Sequence, residues 1–383
     1  MRKRPFGKTG LEVSMLGFGC MRLPVIGDDN SRIDEEHAIK MIHHAIENGI
    51  NYFDTAYPYH GFDFSKGGAS EPLLGKALKN GYREKVFVAT KLPIWLVHNR
   101  EDMDRFLDEQ LERLGTGTID FYLLHGLDIT SWGKLLRLGV LDFLNSALET
   151  GRIRYAGFSY HDEVGLFREI VDAYDWTFCQ IQYNYLDTEF QAGKKGLHYA
   201  AGKGLAVVVM EPLRGGTLVK GIPAHAREVM QQAAPRRTTV EWALDWLWEQ
   251  PEVTVVLSGM SHLDHVKENL KLADGFTEGT WTEKDESALQ RSIGMIRELQ
   301  RVDCTACSYC MPCPEGVNIP RNFSLCNDHH MLNDPAARLR YQRFLSDTAK
   351  ASNCVQCGQC EPLCPQGIHI MDELEYVAEL FKA

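Results

Sequence analysis

Eight of the chain's 11 cysteines lie in two runs near the end of the sequence. The second run is followed by Pro365 and has the C-x2-C-x2-C-x3-C-P spacing of the bacterial ferredoxin loop. In that loop three thiolates hold one [4Fe–4S] cluster and the fourth reaches across to a second cluster. The spacing therefore predicts two clusters, one held by Cys304, Cys307, Cys310 and Cys364 and the other by Cys354, Cys357, Cys360 and Cys313.

The first run departs from this spacing, because only Met311 and Pro312 separate Cys310 from Cys313. Cys326 is therefore a reserve candidate for a fourth ligand, although a buried small hydrophobic residue is the plainer interpretation. Two zinc sites are the alternative for paired cysteines. Zinc ligands usually come in twos across a long gap, whereas three cysteines within residues 304–310 suit the corner of a cluster.

Composition narrows the class of protein. The 383 residues are enough for one barrel-sized domain and a smaller one. The net charge of −11 argues against unaided binding to nucleic acid or to an anionic membrane. The start of the chain lacks an apolar signal, and the longest apolar stretch, Leu205–Met210, is too short to cross a bilayer. Clustered free thiols suit a reducing compartment, so we predict a cytoplasmic protein without nucleic-acid or membrane partners.

From Met15 to about Met260, apolar strand candidates alternate with amphipathic segments at helical spacing. The strand candidates are Met15–Met21, Ile50–Thr55, Val86–Lys91, Ile119–His125, Tyr155–Ser159, Phe178–Asn184, Ala206–Pro212 and Val253–Gly259. The helix candidates are Ile33–Asn48, Ser70–Asn80, Arg100–Leu114, Val140–Thr150, Glu163–Tyr174, Lys194–Lys203, Thr238–Glu249 and His262–Leu272. Eight such units predict an α/β fold, a parallel (β/α)8 TIM barrel, with a hairpin over its base at Arg2–Val13.

After one more predicted helix, Trp281–Gln300, the composition changes abruptly. Cysteine density rises, and the spacer Asn318–Asn353 is mostly helical, with Pro320 and Pro335 as breakers. We therefore place a boundary near Gln300. Residues 1–300 are expected to form the barrel, and residues 301–383 a small, mostly helical, ferredoxin-like iron–sulfur domain.

Four polar side chains fall at the ends of consecutive strand candidates, where barrels carry their function. Each of these side chains taken alone could have a purely structural role. A structural role for all four at consecutive strand ends would be an unexplained coincidence. Tyrosine is a poor acid near neutral pH unless a cation lies close. A neighbouring lysine could supply that cation, an aspartate could hold the lysine, and a histidine could orient a carbonyl. Such a site would protonate an oxygen as hydride reaches the adjoining carbon. The four are Asp54, Tyr59, Lys91 and His125.

The segments 51–59 (NYFDTAYPY), 88–91 (VATK) and 120–125 (DFYLLH) resemble the catalytic segments of the aldo-keto reductase superfamily. Segments 151–159 (GRIRYAGFS) and 180–184 (QIQYN) resemble its fifth and sixth strands. The resemblance covers Arg4 to about Leu272, and the tail resembles the branch with a C-terminal ferredoxin-type domain. It implies that Tyr59 is the general acid, that Lys91 and Asp54 tune it, and that His125 orients the carbonyl.

The resemblance also implies a nicotinamide cofactor, NADP or NAD. Ser159 and Gln182 match the residues that hold the nicotinamide carboxamide, whereas Tyr160 stands where the family usually has asparagine. Gly259 and His265 stand where many members place basic residues that clamp a 2′-phosphate, so the preference between the two nucleotides stays open. In the segment 258–269, which follows the eighth strand candidate, the resemblance implies cofactor-binding positions at Ser258, Gly259, Met260, Glu268 and Asn269.

Five side chains in the loops after the second, third and fourth strand candidates could line a pocket for a small apolar or aromatic carbonyl, or equally could pack those loops. They are His60, Phe62, Trp95, His98 and Trp132. The glycine pairs at 67–68 and 215–216 are typical either of mobile loops over the mouth or of flexible linkage.

Three functions follow from these patterns. The leading hypothesis is an NAD(P)-dependent aldo-keto reductase of small carbonyl compounds, whose clusters are structural or exchange electrons with a partner. A hydride moves two electrons, whereas each cluster accepts one. The second hypothesis is therefore a ferredoxin-linked oxidoreductase that uses a flavin or a partner. The third is a redox-sensing or interaction protein without catalysis.

Overall fold

The computed structural model describes residues 1–27 and 29–382 of the chain. In chain order the strands are β1 (Lys3–Pro5), β2 (Glu12–Ser14), β3 (Leu16–Gly19), β4 (Tyr52–Asp54), β5 (Phe87–Leu92), β6 (Ile119–Leu127), β7 (Ile153–Tyr160), β8 (Phe178–Gln182), β9 (Ala206–Met210) and β10 (Val255–Ser258). Strands β3 to β10 are parallel and close into one barrel, in which β10 pairs with β3. These strands are almost wholly buried because helices cover the outside of a parallel sheet. The predicted (β/α)8 barrel is confirmed.

All eight predicted strand–helix units are present, and the described residues also contain helices outside the predicted set, of which the longer ones are α4, α9 and α15. Helix α4 begins after Asp128, whose carboxylate accepts from the Ser131 N–H in a reciprocal cap. In chain order the helices are α1 (Glu35–Glu47), α2 (Ser70–Ala77), α3 (Arg100–Leu114), α4 (Ile129–Arg137), α5 (Val140–Glu149), α6 (Val164–Ala173), α7 (Gly193–Gly202), α8 (Thr217–Lys220), α9 (Ala224–Ala233), α10 (Thr239–Trp248), α11 (Leu263–Gly275), α12 (Glu283–Arg297), α13 (Ile319–Leu332), α14 (Ala336–Arg343) and α15 (Ile370–Leu380).

The opening hairpin closes the N-terminal end of the barrel, as predicted. Strands β1 and β2 pair antiparallel, and Phe6 follows β1. The Phe6 ring is fully buried and lies 4.3 Å from the Phe121 ring and 5.4 Å from the Phe178 ring, measured between centroids. Because this end is filled with aromatic side chains, the polar groups of the barrel interior are confined to the opposite end.

By internal packing the chain forms two compact units. The first comprises Met1–Gly215 and Glu241–Thr280, and the second comprises Gly216–Val240 and the residues from 281 onward. The second unit has its own apolar core, which includes Val317, Phe323 and Leu374. It is mostly helical, as predicted for the cysteine-bearing segment. The division of the sequence into residues 1–300 and 301–383 stays a prediction.

Within residues 1–27 and 29–382, no helix is both long and apolar enough to cross a membrane.

Candidate active site and cysteine cavities

The period-two alternation of strands gathers the predicted catalytic side chains at one end of the barrel. Alternate residues of a strand face the same side, so an interior position is followed by another two residues later. Near the N-terminal end the interior side chains are apolar and are contributed by Tyr52, Phe87, Phe121 and Phe178. Two or four residues further along the same strands come Asp54, Lys91, His125 and Gln182. The structure therefore brings the polar set together at the C-terminal mouth.

Lys91 is the centre of the site. Its Nζ donates to Asp54 Oδ1 at 2.7 Å, to Asp54 Oδ2 at 2.8 Å and to the Thr55 carbonyl at 2.8 Å. It also lies 3.3 Å from the hydroxyl oxygen of Tyr59. Burial alone would lower the pKa of Lys91, but the Asp54 carboxylate and the Tyr59 hydroxyl outweigh it and raise that pKa. The lysine is thus held as a cation, with Tyr59 beside it.

Tyr59 is positioned by a loop folded back on itself. The Tyr59 carbonyl accepts from the Ser70 N–H at 3.2 Å, and the Gly68 N–H donates to the Tyr57 carbonyl at 2.8 Å. A Cβ on Gly68 would stand 2.0 Å from the Tyr59 carbonyl oxygen, so the turn needs glycine there. The close approach of the backbone therefore explains why position 68 is glycine, without any need for a mobile loop. Burial raises the pKa of Tyr59, and the Lys91 cation offsets part of that rise.

His125 faces Tyr59 with its ring centroid 6.1 Å away and nearly perpendicular. Burial lowers the pKa of His125 well below its ordinary value, and the nearby Lys91 charge acts in the same direction. The imidazole is therefore neutral. Its Nδ1 is buried, and the described part of the chain supplies no hydrogen-bond partner for it. A neutral imidazole carries one N–H, which suits donation to a carbonyl oxygen.

An irregularity in β6 places His125 and Ser159 side by side. Leu124 pairs with Phe158 and Leu127 with Tyr160, so β6 has one more residue than β7 over this stretch. Gly126 takes up the extra residue with φ of +69°, and its N–H donates to Ser159 Oγ at 2.7 Å. Because Ser159 Oγ accepts this bond, its own hydrogen can be donated to a ligand. The glycine at position 126, next to the predicted strand Ile119–His125, is the one sequence feature that is consistent with this bulge, and by itself it does not predict it.

Gln182 is fixed by Asp187, a residue that the sequence analysis missed. Asp187 Oδ2 accepts from Gln182 Nε2 at 3.3 Å, from Asn184 Nδ2 at 3.1 Å and from Arg214 Nε at 2.9 Å. Because Nε2 is directed to this carboxylate, Gln182 Oε1 is the atom that can accept from a carboxamide. The hydroxyl of Tyr160 donates to the Glu163 carbonyl and so is engaged away from the mouth. Ser159 and Gln182 thus fit a carboxamide without help from Tyr160.

The remaining predicted cofactor positions follow β10. Ser258 and Asn269 are both buried, and Asn269 Nδ2 donates to Ser258 Oγ at 2.9 Å, which ties α11 to the end of the strand. Gly259 is exposed and Met260 is buried. Glu268 lies exposed on α11. The polar pair therefore shapes the turn, while Glu268 is exposed and Gly259 lies against the aliphatic stem of Arg22.

The five candidate pocket residues differ in their distance from the site and in their exposure. Trp95 lies at the site, with its ring centroid 5.2 Å from that of His125 and its indole N–H bonded to the Phe64 carbonyl. Phe62 is 95% exposed. His60 Nδ1 contacts the Asn30 carbonyl at 2.8 Å, and Trp132 is buried on α4 against Trp176. The backbone N–H of His98 donates to the Asp102 carboxylate in the cap of α3, and the His98 residue is exposed.

A buried polar network behind β5 also escaped the sequence analysis. Glu71 is fully buried, and its carboxylate accepts from Thr90 at 2.6 Å, Gln110 at 2.7 Å and Arg113 at 2.8 Å. Gln110 Nε2 also donates to the Lys91 carbonyl at 3.0 Å. The network therefore holds the backbone that carries Lys91. Its one sequence signal is that Gln110 falls on the buried face of α3.

The cysteines of the second unit surround two cavities. The first, of about 310 Å³, is lined by Cys304, Cys307, Cys310 and Cys364. The second, of about 580 Å³, is lined by Cys313, Cys354, Cys357 and Cys360, together with Cys310. Cys310 and Ile319 line both cavities, so the two spaces adjoin. Four thiols around one space supply the donor set of a [4Fe–4S] cluster, and apart from Cys310, which lines both cavities, the lining agrees with the grouping that the crossing rule predicts. The assignment of ligands to clusters stays a prediction.

The two cysteine runs fold alike. Ala306 and Ser308 in the first run, and Gln356 and Gly358 in the second, all have positive φ. These residues occupy the same positions relative to the first cysteine of each run. The turn directs the Ala306 N–H toward Cys304 Sγ at 3.4 Å. Cys326, the reserve candidate, is buried in the apolar core of the unit and is absent from the described lining of both cavities.

Comparison with known proteins agrees with this geometry. The model of the aldo/keto reductase family matches residues 15–279, and the model of a 4Fe-4S dicluster domain matches residues 303–369. The chain is 26% identical over 324 residues to the uncharacterized oxidoreductase YqkF of Bacillus subtilis, covering 76% of this chain and 96% of that protein. It is 27% identical over 289 residues to L-galactose dehydrogenase of Arabidopsis thaliana, covering 70% of this chain and 86% of that enzyme.

Two solved structures show the same likeness. The holo form of aldo-keto reductase AKR11C1 from Bacillus halodurans is 27% identical with a TM-score of 0.61, covering 76% of this chain and 96% of that one. The thermostable aldo-keto reductase Tm1743, solved with the inhibitor epalrestat, is 25% identical with a TM-score of 0.61, covering 76% and 99%.

Proposed function

Because the chain belongs to the aldo/keto reductase family and carries a C-terminal 4Fe-4S dicluster domain, we propose that it reduces a small carbonyl compound with NAD(P)H, with Tyr59 as the general acid. The observation that carries this proposal is the buried Lys91 ammonium, bonded to Asp54 and 3.3 Å from the Tyr59 hydroxyl. A bound nicotinamide supplies the hydride. Tyr59 donates its proton to the carbonyl oxygen, and Lys91 stabilises the phenolate that is left. His125 orients the carbonyl through its N–H.

The residues at the mouth fit both ligands. Ser159 Oγ accepts from the Gly126 N–H, so its hydroxyl hydrogen can be donated to the carboxamide oxygen. Gln182 Nε2 donates to Asp187, so Gln182 Oε1 can accept from the carboxamide amide. On the substrate side, the Trp95 indole N–H donates to the Phe64 carbonyl, and the Phe64 and Trp95 rings pack edge to face. That wall therefore offers apolar surface, which supports a small apolar or aromatic carbonyl as substrate.

The rate of carbonyl reduction is expected to stay flat from about pH 6.5 to about pH 9 and to fall only above about pH 10. Tyr59 must be protonated to act as an acid, and burial raises its pKa above the ordinary value, so the acid form persists at higher pH. His125 does not titrate in this range because its pKa is lowered. The measurement is kcat against pH for aldehyde reduction. A decline centred between about pH 7 and 8 would mean that the Lys91 charge outweighs burial, and would contradict the raised pKa of Tyr59 rather than its role as the acid.

For the second unit we propose that the clusters brace the fold and exchange electrons with a partner protein. Six of the eight cysteines pack against the apolar core of the unit, which supports a bracing role. The shared wall of the two cavities supports electron exchange between the clusters. Cys304, Cys307, Cys310 and Cys364 would hold one cluster, and Cys313, Cys354, Cys357 and Cys360 the other.

Anaerobic addition of NADH or NADPH to cluster-replete protein is expected to leave the visible absorbance and the electron paramagnetic resonance spectrum unchanged, although the nucleotide binds. Hydride transfer moves two electrons together, and the mouth offers no one-electron step by its own side chains. Dithionite serves as the control, since it should bleach the same sample. Bleaching by NAD(P)H would instead favour the second hypothesis, a ferredoxin-linked oxidoreductase with a flavin.

A further inference from the structure

The proposed general acid and the lysine beside it lie on two different segments of the chain. Tyr59 belongs to the loop between β4 and α2, whereas Lys91 lies in β5. The Tyr59 hydroxyl must be held near Lys91 Nζ, from which it lies 3.3 Å away. A misplacement of about 1 Å at a reacting centre can slow a reaction about 100-fold. The two backbones therefore need a link that fixes one against the other.

The buried carboxylate of Glu71 supplies the half of this link that faces β5. Glu71 lies in the first turn of α2 and is fully buried. Its Oε1 accepts from Thr90 Oγ1 at 2.6 Å and from Gln110 Nε2 at 2.7 Å. Thr90 immediately precedes Lys91, and Gln110 Nε2 also donates to the Lys91 carbonyl at 3.0 Å. One oxygen of Glu71 thus fixes the part of β5 that carries the lysine.

The guanidinium of Arg113 supplies the half that faces the loop of Tyr59. Arg113 Nε donates to Glu71 Oε2 at 2.8 Å, and Arg113 Nη2 donates to the Gly68 carbonyl. Gly68 is the residue packed against the Tyr59 carbonyl. A Cβ built on Gly67 would stand 2.6 Å from Arg113 Nη1, so the guanidinium also lies directly against the loop. Arg113 therefore joins that loop to the second oxygen of Glu71.

The shape and burial of the ion pair suit this bridging role. The Arg113 side chain is 17% exposed and that of Glu71 is fully buried, so solvent screens their attraction little. The planar fork of arginine lets Nε and Nη2 reach two acceptors in fixed directions, whereas a lysine carries its charge on one nitrogen. A lysine at this position could pair with Glu71 without holding the loop.

We propose that Arg113 is a positioning residue that, through Glu71, fixes the general acid Tyr59 against Lys91. The inference rests on the proposed function, because Arg113 acts on the reaction through Tyr59. Loss of the bridge should slow the transfer of the proton and the hydride while leaving the affinity for the cofactor unchanged. A residue that only stabilises the fold would show neither this separation nor any dependence on the Tyr59 hydroxyl.

The test variant is Arg113→Lys in cluster-replete protein, with the oxidation of NADH and NADPH by benzaldehyde and by butanal followed in a single turnover. Lysine keeps a cation beside the buried Glu71 carboxylate, whereas alanine would leave that carboxylate unpaired and destabilise the fold. The rate is expected to fall about 10- to 100-fold, the effect of a displaced reacting group. Kd for either nucleotide should change less than about twofold, because Arg113 bonds to Glu71 and to the Gly68 carbonyl rather than to the predicted cofactor residues.

Arg83→Lys is the matched control. Arg83 Nη2 lies 2.7 Å from the Asp120 carboxylate, which is 1% exposed, and the guanidinium also donates to the carbonyls of Val86 and Thr118 at 3.0 Å. It therefore bridges a buried carboxylate and backbone carbonyls, as Arg113 does, but it lies just before β5, at the end of the barrel opposite to the mouth. This variant is expected to destabilise the fold in the same way and to keep the rate within about twofold.

Gly67→Ala tests the same bridge without changing a charge. The φ of Gly67 lies outside the left-handed region, so the backbone accepts alanine there. The added Cβ would displace the Arg113 guanidinium, and the rate is expected to fall about 3- to 10-fold.

Combining Arg113→Lys with Tyr59→Phe separates positioning from general damage. Once the Tyr59 hydroxyl is absent, Arg113→Lys should slow the residual reaction by less than about twofold, because no acid is left to misplace. A loss of the same size with and without that hydroxyl would show a structural role and would overturn the inference.

The remaining outcomes distinguish this inference from the proposed function. An unchanged rate in Arg113→Lys, with Tyr59→Phe slow, would overturn the assignment of Arg113 alone. A Tyr59→Phe variant as fast as the unmodified protein would overturn the proposed mechanism and this inference together. Failure of the unmodified protein to reduce either aldehyde with either nucleotide would count against the proposed function itself.

Discussion

Replacing Tyr59 with phenylalanine is expected to lower kcat for carbonyl reduction about 100- to 10,000-fold, the range over which general acids act. The change removes the one hydroxyl that the structure places 3.3 Å from Lys91 Nζ. Lys91 keeps its bonds to both Asp54 oxygens and to the Thr55 carbonyl, so the mouth is expected to keep its shape. The affinity for NAD(P)H should change little, which a titration of nucleotide into the variant would check.

Tyr57→Phe is the matched control for this experiment. Tyr57 belongs to the same loop, is 5% exposed, and donates its hydroxyl to Glu109 at 3.1 Å rather than to the mouth. The Tyr57→Phe variant also loses one phenolic hydroxyl. Its kcat should stay within about twofold of that of the unmodified protein, because the lost hydroxyl contacts neither the substrate nor the cofactor. If Tyr59→Phe retained kcat within a factor of about ten, another group would have to supply the proton and the proposed mechanism would be wrong.

Replacing Cys313 with alanine is expected to halve the iron content of anaerobically purified protein, from about eight to about four atoms per chain. Cys313 lines the wider cavity with Cys354, Cys357 and Cys360. Three thiols would remain there for a cluster that needs four, while the first cavity keeps its full set. Iron and sulfide assays give the stoichiometry, and the visible absorbance should fall in the same proportion.

Cys326→Ala is the informative companion, since the sequence left Cys326 as a reserve ligand. The thiol is fully buried in the apolar core of the second unit and is absent from the described lining of both cavities, so it is poorly placed to reach a cluster. This variant is expected to keep both clusters. Full iron in Cys313→Ala together with loss of iron in Cys326→Ala would assign the fourth ligand to Cys326.

The barrel could be predicted from the sequence because its signals are local. Continuous apolar runs such as Ala206–Met210 and amphipathic segments such as Arg100–Leu114 each carry their own periodicity, and their alternation specifies the fold. The convergence of the four candidate catalytic side chains could be predicted for a related reason, whereas their catalytic role stays a prediction. Strands run to a common end, so residues that close consecutive strands, such as Lys91 and His125, must meet there. The two cluster cavities follow in the same way from cysteine spacing.

The features that the sequence did not predict depend on contacts between distant segments. Arg22 covers Gly259 across more than two hundred residues of chain, and no local pattern indicates that approach. Asp187 lies in a loop, and only the folded chain brings Gln182 and Arg214 to its carboxylate. Glu71 lies in the first turn of α2 and is fully buried, because Gln110 and Arg113 satisfy its carboxylate. Burial of a polar group is decided by its partners, which the sequence does not identify.

The extra residue in β6 makes two parts of the site interdependent. His125 is expected to orient the substrate and Ser159 the cofactor, and Gly126 joins them by following one in the chain and donating to the other. A mutation that moves His125 to suit a new carbonyl compound will therefore shift the serine against the nicotinamide, and the converse also holds. Under the proposed function, substrate range and cofactor geometry are therefore coupled through β6 and β7, and we expect variants with altered specificity to need paired rather than single changes along these strands.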